Sequence, residues 1–350
     1  MKKLLCILLA LLLLPSSAAF AEAEESANPQ DDEFPASDGG SSGMPTGMPG
    51  LSSENFSADD IPAEYLEPCG GPQGRVEKIR YTVSAEEGSQ VKIATVYLPR
   101  EYDESGEKYN VLYLLHAASG KPQNYLNPEK ETAFRNLLDH MIADGVLEPL
   151  IVVAATYYPT EGFMKFMPLE RQVAAISDFP EELATLVIPA VESEYRTWAE
   201  STDMEGIVAS RAHRGIAGFS LGGVATWNVF RKEMRCFRWF LPISEASWSD
   251  AEGGTSGIWD SDVSAQVLYD AVLEQGFARD DFRLFVATGT DDEAFGISTS
   301  QMVSLLEYAD IFMPGDNTSC SMMAGGTHTI TAVYTYLYHI MPALFRDQES

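Results

Sequence analysis

Short apolar segments alternate with segments of helical periodicity along most of the chain. The apolar segments have the length of strands and contain few polar positions, which is typical of strands buried on both faces. Strands are predicted at 91–99, 110–116, 150–158, 215–219, 238–244, 282–289 and 321–323. Helices are predicted at 129–143, 181–194, 224–232, 263–274 and 329–345, the last one bent near Pro342. This alternation predicts an α/β fold with a mostly parallel central sheet and helices on both faces, in one domain over residues 61–350.

The first 21 residues have the pattern of a secretory signal peptide. Lys2 and Lys3 precede the apolar run Leu4–Leu14, and residues 19–21 form a small-x-small cleavage site. The run is shorter than the roughly 20 apolar residues that a membrane-spanning helix needs. No later segment is long and apolar enough to span a bilayer. We therefore expect a secreted, extracellular protein without a membrane span.

Residues 22–60 are rich in Glu, Asp, Ser, Gly and Pro, and this composition predicts a disordered acidic linker. The whole chain has a formal net charge of −29, and removal of the two lysines of the signal peptide makes the charge −31. A chain this acidic repels phosphate backbones, so we expect no nucleic-acid partner.

Three cysteines follow the predicted signal peptide, namely Cys69, Cys236 and Cys320. Their number is odd and their spacing matches no zinc-binding pattern. The sequence leaves open one disulfide with one free thiol, or three reduced thiols.

The sequence GFSLG at 218–222 lies between a predicted strand and a predicted helix, which is the arrangement of a nucleophile elbow. A serine at the centre of such a sharp turn projects its hydroxyl clear of the sheet, and the two glycines leave room for the turn. The helix that follows directs free N–H groups at developing negative charge. Ser220 is therefore the candidate nucleophile, and a capping serine in a tight turn is the alternative.

A serine hydroxyl needs a base to become nucleophilic at neutral pH, and the base needs a carboxylate to orient it. His328 follows a short strand and a Gly-Gly pair, which suits a loop that bends towards the elbow. His339 lies within the predicted last helix, where we expect a structural role. The acid is expected at the end of strand 282–289, where the pattern alone does not separate Asp291 from Asp292.

An oxyanion is stabilised by two backbone N–H groups. The residue after the nucleophile, Leu221, is expected to supply one of them. The other is expected from the loop after strand 110–116, at Ala117 or Ala118, with His116 as a structural residue at the strand end.

Aromatic residues follow two of the predicted strand ends. Trp248 comes after strand 238–244, and the segment YYPTEGFMKFM at 157–167 includes Tyr158 and Phe163. These side chains are candidates for substrate binding by stacking on an aromatic acyl group or a sugar. For the segment 157–167, a hydrophobic flap packed on the domain is the alternative.

Four separated motifs, KYNVLYLLHAASG, HRGIAGFSLGG, FVATGTDDEAF and AGGTHT, together resemble the esterase D-like α/β-hydrolases. Within that group the chain is most similar to carbohydrate esterase family one, the feruloyl and acetyl-xylan esterases. The resemblance implies an α/β-hydrolase fold with Ser220 as nucleophile, His328 as base and Asp292 as acid. It also implies that Ala118 is the second oxyanion donor.

Two positions depart from the family pattern. Ala117 stands where the family usually has glycine, and Thr329 follows the histidine where aspartate or tryptophan is common. Both positions help to shape the substrate pocket in this family, so the resemblance does not fix the acyl group.

The motifs and the resemblance predict a secreted serine esterase that removes feruloyl or acetyl groups from acylated plant polysaccharide, as in xylan degradation. A Ser-His-Asp mechanism needs neither a metal ion nor an organic cofactor, so we expect none. Two alternatives are an acyltransferase of the mycolyltransferase type on the same fold and a non-catalytic carbohydrate-binding protein.

Overall fold

A nine-stranded sheet forms the centre of the computed structural model, which describes residues 55–85, 88–158, 168–250 and 252–346. The strands are β1 (Asn55–Phe56), β2 (Arg75–Ala85), β3 (Gly88–Leu98), β4 (Asn110–Leu115), β5 (Leu150–Ala155), β6 (Arg214–Phe219), β7 (Trp239–Ile243), β8 (Arg283–Gly289) and β9 (Thr318–Met323). Their order in the sheet is β1-β9-β8-β7-β6-β4-β5-β3-β2. The predicted signal peptide and residues 22–54 of the predicted linker lie outside the described residues.

Most neighbouring strands in this sheet are parallel. Only β2 with β3 and β3 with β5 run antiparallel among the described strands. The prediction of a mostly parallel central sheet is therefore confirmed, with an antiparallel hairpin at one edge.

Helices cover both faces of the sheet. They are α1 (Tyr102–Ser105), α2 (Ala133–Ala143), α3 (Leu169–Glu182), α4 (Ile188–Glu192), α5 (Met204–Ala209), α6 (Leu221–Glu233), α7 (Ser261–Glu274), α8 (Phe295–Leu305) and α9 (Ile330–Ile340). Alternate strand residues point to opposite faces, so Tyr113 of β4 packs in the core beneath α3 and α6, whereas Leu114 packs in the core beneath α2 and α9. None of the helices in the described ranges has the length and apolarity that crossing a bilayer requires.

Strand β2 was not predicted from the sequence. Its residues pair with β3 over the whole hairpin, from Arg75 opposite Leu98 to Ala85 opposite Gly88. Ile79, Tyr81 and Val83 face the core, and charged residues such as Arg80 lie between them. Charged residues on an edge strand discourage pairing with another chain. They also make the alternation of apolar residues difficult to recognise in the sequence, which is why this strand was missed.

The helix predicted at 181–194 is part of a longer helical segment. Helix α3 begins at Leu169, a π-helical stretch follows at Leu183–Val187, and α4 ends at Glu192. Pro189 has no N–H to donate, and the wider π turn just before it, closed by the N–H of Ile188 on the carbonyl of Leu183, keeps the segment continuous.

Residues 55–60, which lie before the predicted domain boundary at residue 61, pack against the domain. Phe56 of β1 is buried, and its ring stacks on His339 with the centroids 4.1 Å apart. His339 Nε2 lies 2.9 Å from Asp60 Oδ2. One buried aromatic ring therefore fixes the last part of the acidic segment to the sheet and gives His339 the structural role expected for it.

Cys69, Cys236 and Cys320 are all free thiols, which is the second of the two alternatives left open by the sequence. Burial raises the pKa of Cys236 to about 12 and that of Cys320 to about 12, so both stay protonated at neutral pH.

Strand β6, which leads to Ser220, starts with a buried ion pair. Arg214 Nε donates to Glu192 Oε1 at 2.7 Å and Arg214 Nη2 donates to Glu192 Oε2 at 2.9 Å, with both side chains only 1% exposed. Tyr113 and Thr197 donate to the same carboxylate, and the carbonyl of Cys236 accepts from the guanidinium. The pair is fully hydrogen-bonded, which is the condition under which buried charges are tolerated.

Glu192→Gln should destabilise the protein strongly, because it leaves the charge of Arg214 buried without a counter-charge. We expect the free energy of unfolding to fall by about 3–5 kcal/mol, measured by chemical denaturation. Asp316→Asn is the matched control, since Asp316 pairs with Arg279 at the exposed surface and should change little. Equal effects of the two substitutions would contradict this account.

Candidate active site

Ser220 lies on a strained turn between β6 and α6. Its backbone has φ 57° and ψ −126°, a conformation that non-glycine residues rarely adopt. A Cβ at position 218 would lie 2.1 Å from the carbonyl oxygen of Gly222, and a Cβ at 222 would lie 2.6 Å from that of His116. Only glycine fits at both positions, so the turn has the strained, glycine-flanked geometry that the predicted nucleophile elbow requires.

The first turn of α6 leaves N–H groups available at the elbow. Ser220 N donates to the carbonyl of Ile243 in β7, and the N–H groups of Gly223 and Val224 donate to the carbonyl of Ser220. The N–H of Leu221 has no acceptor within the described part of the chain. Leu221 is therefore free to serve as the first oxyanion donor.

His328 and Asp292 form a direct hydrogen bond. His328 Nδ1 lies 2.8 Å from Asp292 Oδ1, and that oxygen also accepts from the N–H of Ala294 at 2.8 Å. A carboxylate only accepts, so Nδ1 carries the proton and Nε2 of the neutral ring keeps its lone pair. This is the tautomer that a general base needs.

The structure also separates the two candidate acids. Asp292 is buried, whereas Asp291 is exposed and its N–H donates to the carbonyl of Gly326. A Cβ at Gly289 would lie 2.1 Å from that same carbonyl oxygen. The loop after β8 and the loop after β9 are therefore in close backbone contact. This contact turns Asp291 outwards and brings Asp292 to His328.

His328 lies next to the elbow. Its ring packs on Phe219, the residue before the nucleophile, with the ring centroids 4.6 Å apart. Ser220 is half-buried, and its hydroxyl makes no hydrogen bond to any residue that the structure describes. Catalytic hydrogen bonds often tighten only when the substrate is bound.

Opposing influences act on the pKa of His328. Burial alone would lower this pKa, but the hydrogen bond and the charge of Asp292 raise it, and the charges of Glu293 and Glu245 add to the increase. The resulting pKa is above the usual value of 6.5. His328 is therefore a stronger base than an ordinary histidine.

We expect the kcat/KM for ester hydrolysis to rise with pH and to level off once His328 is neutral, with a midpoint above 6.5. Glu293→Gln removes one of the charges that favour the protonated ring, so its profile should move to lower pH. Glu307→Gln changes an exposed carboxylate that does not act on His328 and is the control. A wild-type midpoint below 6.5 would contradict the assignment of His328 as the base.

The loop after β4 is held by a hydrogen-bonded cluster. His116 Nδ1 lies 2.8 Å from the carbonyl of Ala117, and His116 Nε2 lies 2.8 Å from Thr156 Oγ1. Burial lowers the pKa of His116 to about 4, so the ring is neutral. Nδ1 must then donate to the carbonyl and Nε2 must accept from Thr156, which makes His116 a structural residue.

Tyr158 supports this loop and has no exposed surface. It is completely buried, and its hydroxyl donates to the carbonyl of Ala118 at 2.8 Å. We predicted direct substrate contact for Tyr158, but its position gives it an indirect role in holding the second candidate oxyanion donor. The N–H groups of Ala117 and Ala118 both lack acceptors among the described residues. Phe163 lies outside those residues.

Trp248 is half-buried on the loop after β7 and packs against the core. Its indole Nε1 donates to Glu245 Oε1 at 3.3 Å. Glu245 was not predicted from the sequence, although it lies just after the strand end in PISEASW. A Cβ at Gly223, in the first turn of α6, would lie 3.2 Å from the Cβ of Glu245, and the charges of His328 and Asp292 act on the pKa of Glu245, so this residue borders the same site.

Asp292, Glu293 and His328 are also the one group of possible metal ligands in the described ranges, with one ligand atom of each within 4.8 Å of the others. The Nδ1 atom of His328 already takes part in the bond to Asp292. The chemistry that this arrangement supports directly is that of an oriented base.

The strand order, the serine on a strained turn and the aspartate–histidine pair define an α/β-hydrolase with a serine-centred site. A family model described as "Putative esterase" matches residues 84–309. The chain belongs to this esterase family, and its sequence resemblance to esterases is confirmed.

Two relatives share large parts of the chain. The endo-1,4-beta-xylanase Y of Acetivibrio thermocellus is 34% identical over 292 residues, which are 82% of this chain and 24% of that protein. The endo-1,4-beta-xylanase/feruloyl esterase of Xylanibacter ruminicola is 28% identical over 183 residues, which are 51% of this chain and 23% of that protein. The match thus spans about a quarter of the length of each relative.

Solved structures of feruloyl esterases have the same fold. A serine-to-alanine mutant of the feruloyl esterase module from Clostridium thermocellum, complexed with sinapinate, has a TM-score of 0.71 and 29% identity. The match covers 87% of this chain and 98% of that module. A ferulic acid esterase from Anaeromyces mucronatus, with a TM-score of 0.62 and 18% identity over 84% of this chain and 98% of that one, shows the fold alone.

Proposed function

We propose that this chain is a secreted feruloyl esterase that releases hydroxycinnamates from acylated plant polysaccharide. The observation that supports this most is the similarity to a complete feruloyl esterase module complexed with sinapinate, which is itself a hydroxycinnamate. The indole of Trp248 at the site suits an aromatic acyl group, because stacked aromatic rings attract one another beyond simple burial. Secretion is proposed from the signal-peptide pattern of residues 1–21.

In the first half of the reaction, Ser220 Oγ attacks the carbonyl carbon of the ester while His328 Nε2 takes the hydroxyl proton. The carbonyl electron pair moves to the oxygen, and the N–H groups of Leu221 and Ala118 donate to this oxyanion. Asp292 keeps the proton on Nδ1 of His328 and stabilises the imidazolium that forms. The carbon–oxygen bond to the sugar then breaks, and His328 gives its proton to the departing alcohol.

In the second half, water attacks the acyl group on Ser220 and His328 Nε2 accepts a proton from that water. The second tetrahedral intermediate uses the same two N–H donors. Its collapse breaks the bond to Ser220 Oγ, which recovers a proton from His328, and the free hydroxycinnamate leaves.

A comparison of methyl ferulate, methyl sinapinate and acetylated xylan tests the substrate class, with the Ser220→Ala variant as the background. We expect serine-dependent hydrolysis of the two hydroxycinnamate esters. Hydrolysis of acetylated xylan alone would contradict the hydroxycinnamate assignment and favour an acetyl esterase. Labelling of Ser220 by a fluorophosphonate without hydrolysis of any ester would favour an acyltransferase.

A further inference from the structure

Glu245 is a buried carboxylate that the mechanism above does not use. It is the second residue after β7 and is only 9% exposed. A Cβ at Gly223, in the first turn of α6, would lie 3.2 Å from the Cβ of Glu245. The side chain therefore starts beside the helix that carries the nucleophile.

The two carboxylate oxygens of Glu245 differ in their contacts. Oε1 accepts from the N–H of Ala246 at 3.1 Å and from the indole Nε1 of Trp248 at 3.3 Å. Oε2 has no hydrogen-bond partner in the part of the chain that the structure describes. An indole has one donor and no acceptor, so this bond fixes which way the ring of Trp248 faces.

Apart from the bond from the N–H of Ala246, the backbone of this loop is held by groups other than the Glu245 side chain. The N–H of Ser247 donates to Gln301 Oε1 at 2.7 Å, and the N–H of Gly257 donates to the carbonyl of Trp248 at 3.1 Å. Trp227 Nε1 donates to the backbone carbonyl of Glu245 at 3.3 Å. The freedom that remains to Trp248 is rotation of its side chain, and only the Glu245 carboxylate restrains the indole through a hydrogen bond among the described residues.

We propose that Glu245 is a positioning residue that sets acyl specificity by holding the indole of Trp248 as one wall of the aromatic acyl site. This inference rests on the proposed function. Holding the ring in advance removes the loss of side-chain freedom that an aromatic acyl group would otherwise cause on binding. A small acyl group that does not reach the indole gains no affinity from its fixed orientation. The fixed indole therefore favours esters with an aromatic acyl group over esters with a small one.

The charge state of Glu245 does not alter this role. Burial raises the pKa of Glu245 to about 7, while the bonds from Ala246 and Trp248 act in the opposite direction. Oε2 is the oxygen without a partner, so it receives the proton when the group is neutral, and Oε1 accepts from the indole in both forms.

The test uses the ratio of kcat/KM for methyl ferulate to that for nitrophenyl acetate, an ester with a small acyl group. Glu245→Leu removes the acceptor and Trp248→Phe removes the donor but keeps an aromatic ring. Each should lower this ratio about tenfold, the equivalent of one hydrogen bond, mainly by raising KM for methyl ferulate. Glu245→Gln keeps an acceptor oxygen and should lose less of the ratio, while Glu252→Gln, in the same loop but exposed, is the control.

The double variant Glu245→Leu with Trp248→Phe decides whether one residue acts through the other. We expect it to lose no more of the ratio than either single variant. An unchanged ratio in Glu245→Leu, or a double variant that loses the product of both single losses, would overturn the proposal. A wild-type protein that hydrolyses nitrophenyl acetate but not methyl ferulate would overturn the proposed function, and with it the role of Glu245.

Discussion

Ser220→Ala should lower kcat for methyl ferulate by about 10⁴-fold or more, because the hydroxyl is the atom that forms the acyl-enzyme. Alanine keeps the Cβ that the turn already accommodates at φ 57°, so the melting temperature should stay close to that of the wild type. The measurement is steady-state hydrolysis beside a thermal unfolding curve for each protein.

Two further variants make this result specific. Ser193→Ala removes an exposed hydroxyl on the surface and should leave kcat unchanged. His328→Ala added to Ser220→Ala should cost little more than Ser220→Ala alone, since the two side chains act as a unit. If the kcat loss of the double variant equalled the product of the two single losses, His328 would not act through Ser220.

Substitutions of Asp292 should separate two of its effects on His328, the orientation of the ring and the negative charge beside it. Asp292→Ala removes both, and we expect kcat to fall by about 10⁴-fold. Asp292→Asn should lose less, because one oxygen of Asp292 accepts from both Ala294 and His328. The N–H of Ala294 needs an oxygen there, so it holds the amide oxygen towards His328 Nδ1 and keeps the productive tautomer. Steady-state kinetics of both variants at the pH optimum provide the comparison.

The control for this series is Asp291→Asn, which alters the exposed neighbour and should behave like the wild type. The Asn variant at position 292 should also shift the pH profile to lower pH, since burial then acts on His328 without the opposing charge. If Asp292→Asn loses as much activity as Asp292→Ala, the amide has turned and donates to Nδ1, and our account of Ala294 is wrong.

The elbow could be predicted from the sequence because its physical demands are local. Gly218 and Gly222 are needed within five residues of each other, and the strand and helix on either side have clear periodicity. His328 could be predicted for a similar reason, since a Gly-Gly pair and a helix enclose it. Both signals come from residues that are close together in the sequence, so they can be recognised without a structure.

Other parts of the site depend on contacts between distant segments. Asp291 and Asp292 are equivalent in pattern, and the bond from Asp291 N to Gly326 across the loops decides between them. Tyr158 looks like a pocket residue in sequence, yet its contact with the carbonyl of Ala118 buries it. Glu245 resembles any polar residue after a strand, and only packing beside Gly223 makes it part of the site.

The fold shows the same division between local and distant causes. The apolar parallel strands and most helices lie where the periodicity predicts them. Strand β1 could not be predicted, because Asn55–Phe56 is short and lies in an acidic, serine-rich stretch. Its pairing with β9 depends on the buried contact between Phe56 and His339, which no local pattern shows.

The positive φ angle of Ser220 has a consequence for protein engineering. Such a backbone conformation costs on the order of 1–3 kcal/mol for a residue with a Cβ, and glycine adopts it freely. A library of variants ranked by heat tolerance alone would therefore favour Ser220→Gly, which relieves the strain but also removes the reactive oxygen. Ser244, with φ 52° at the end of β7, is subject to the same bias, so selection on this scaffold has to score turnover together with thermal tolerance.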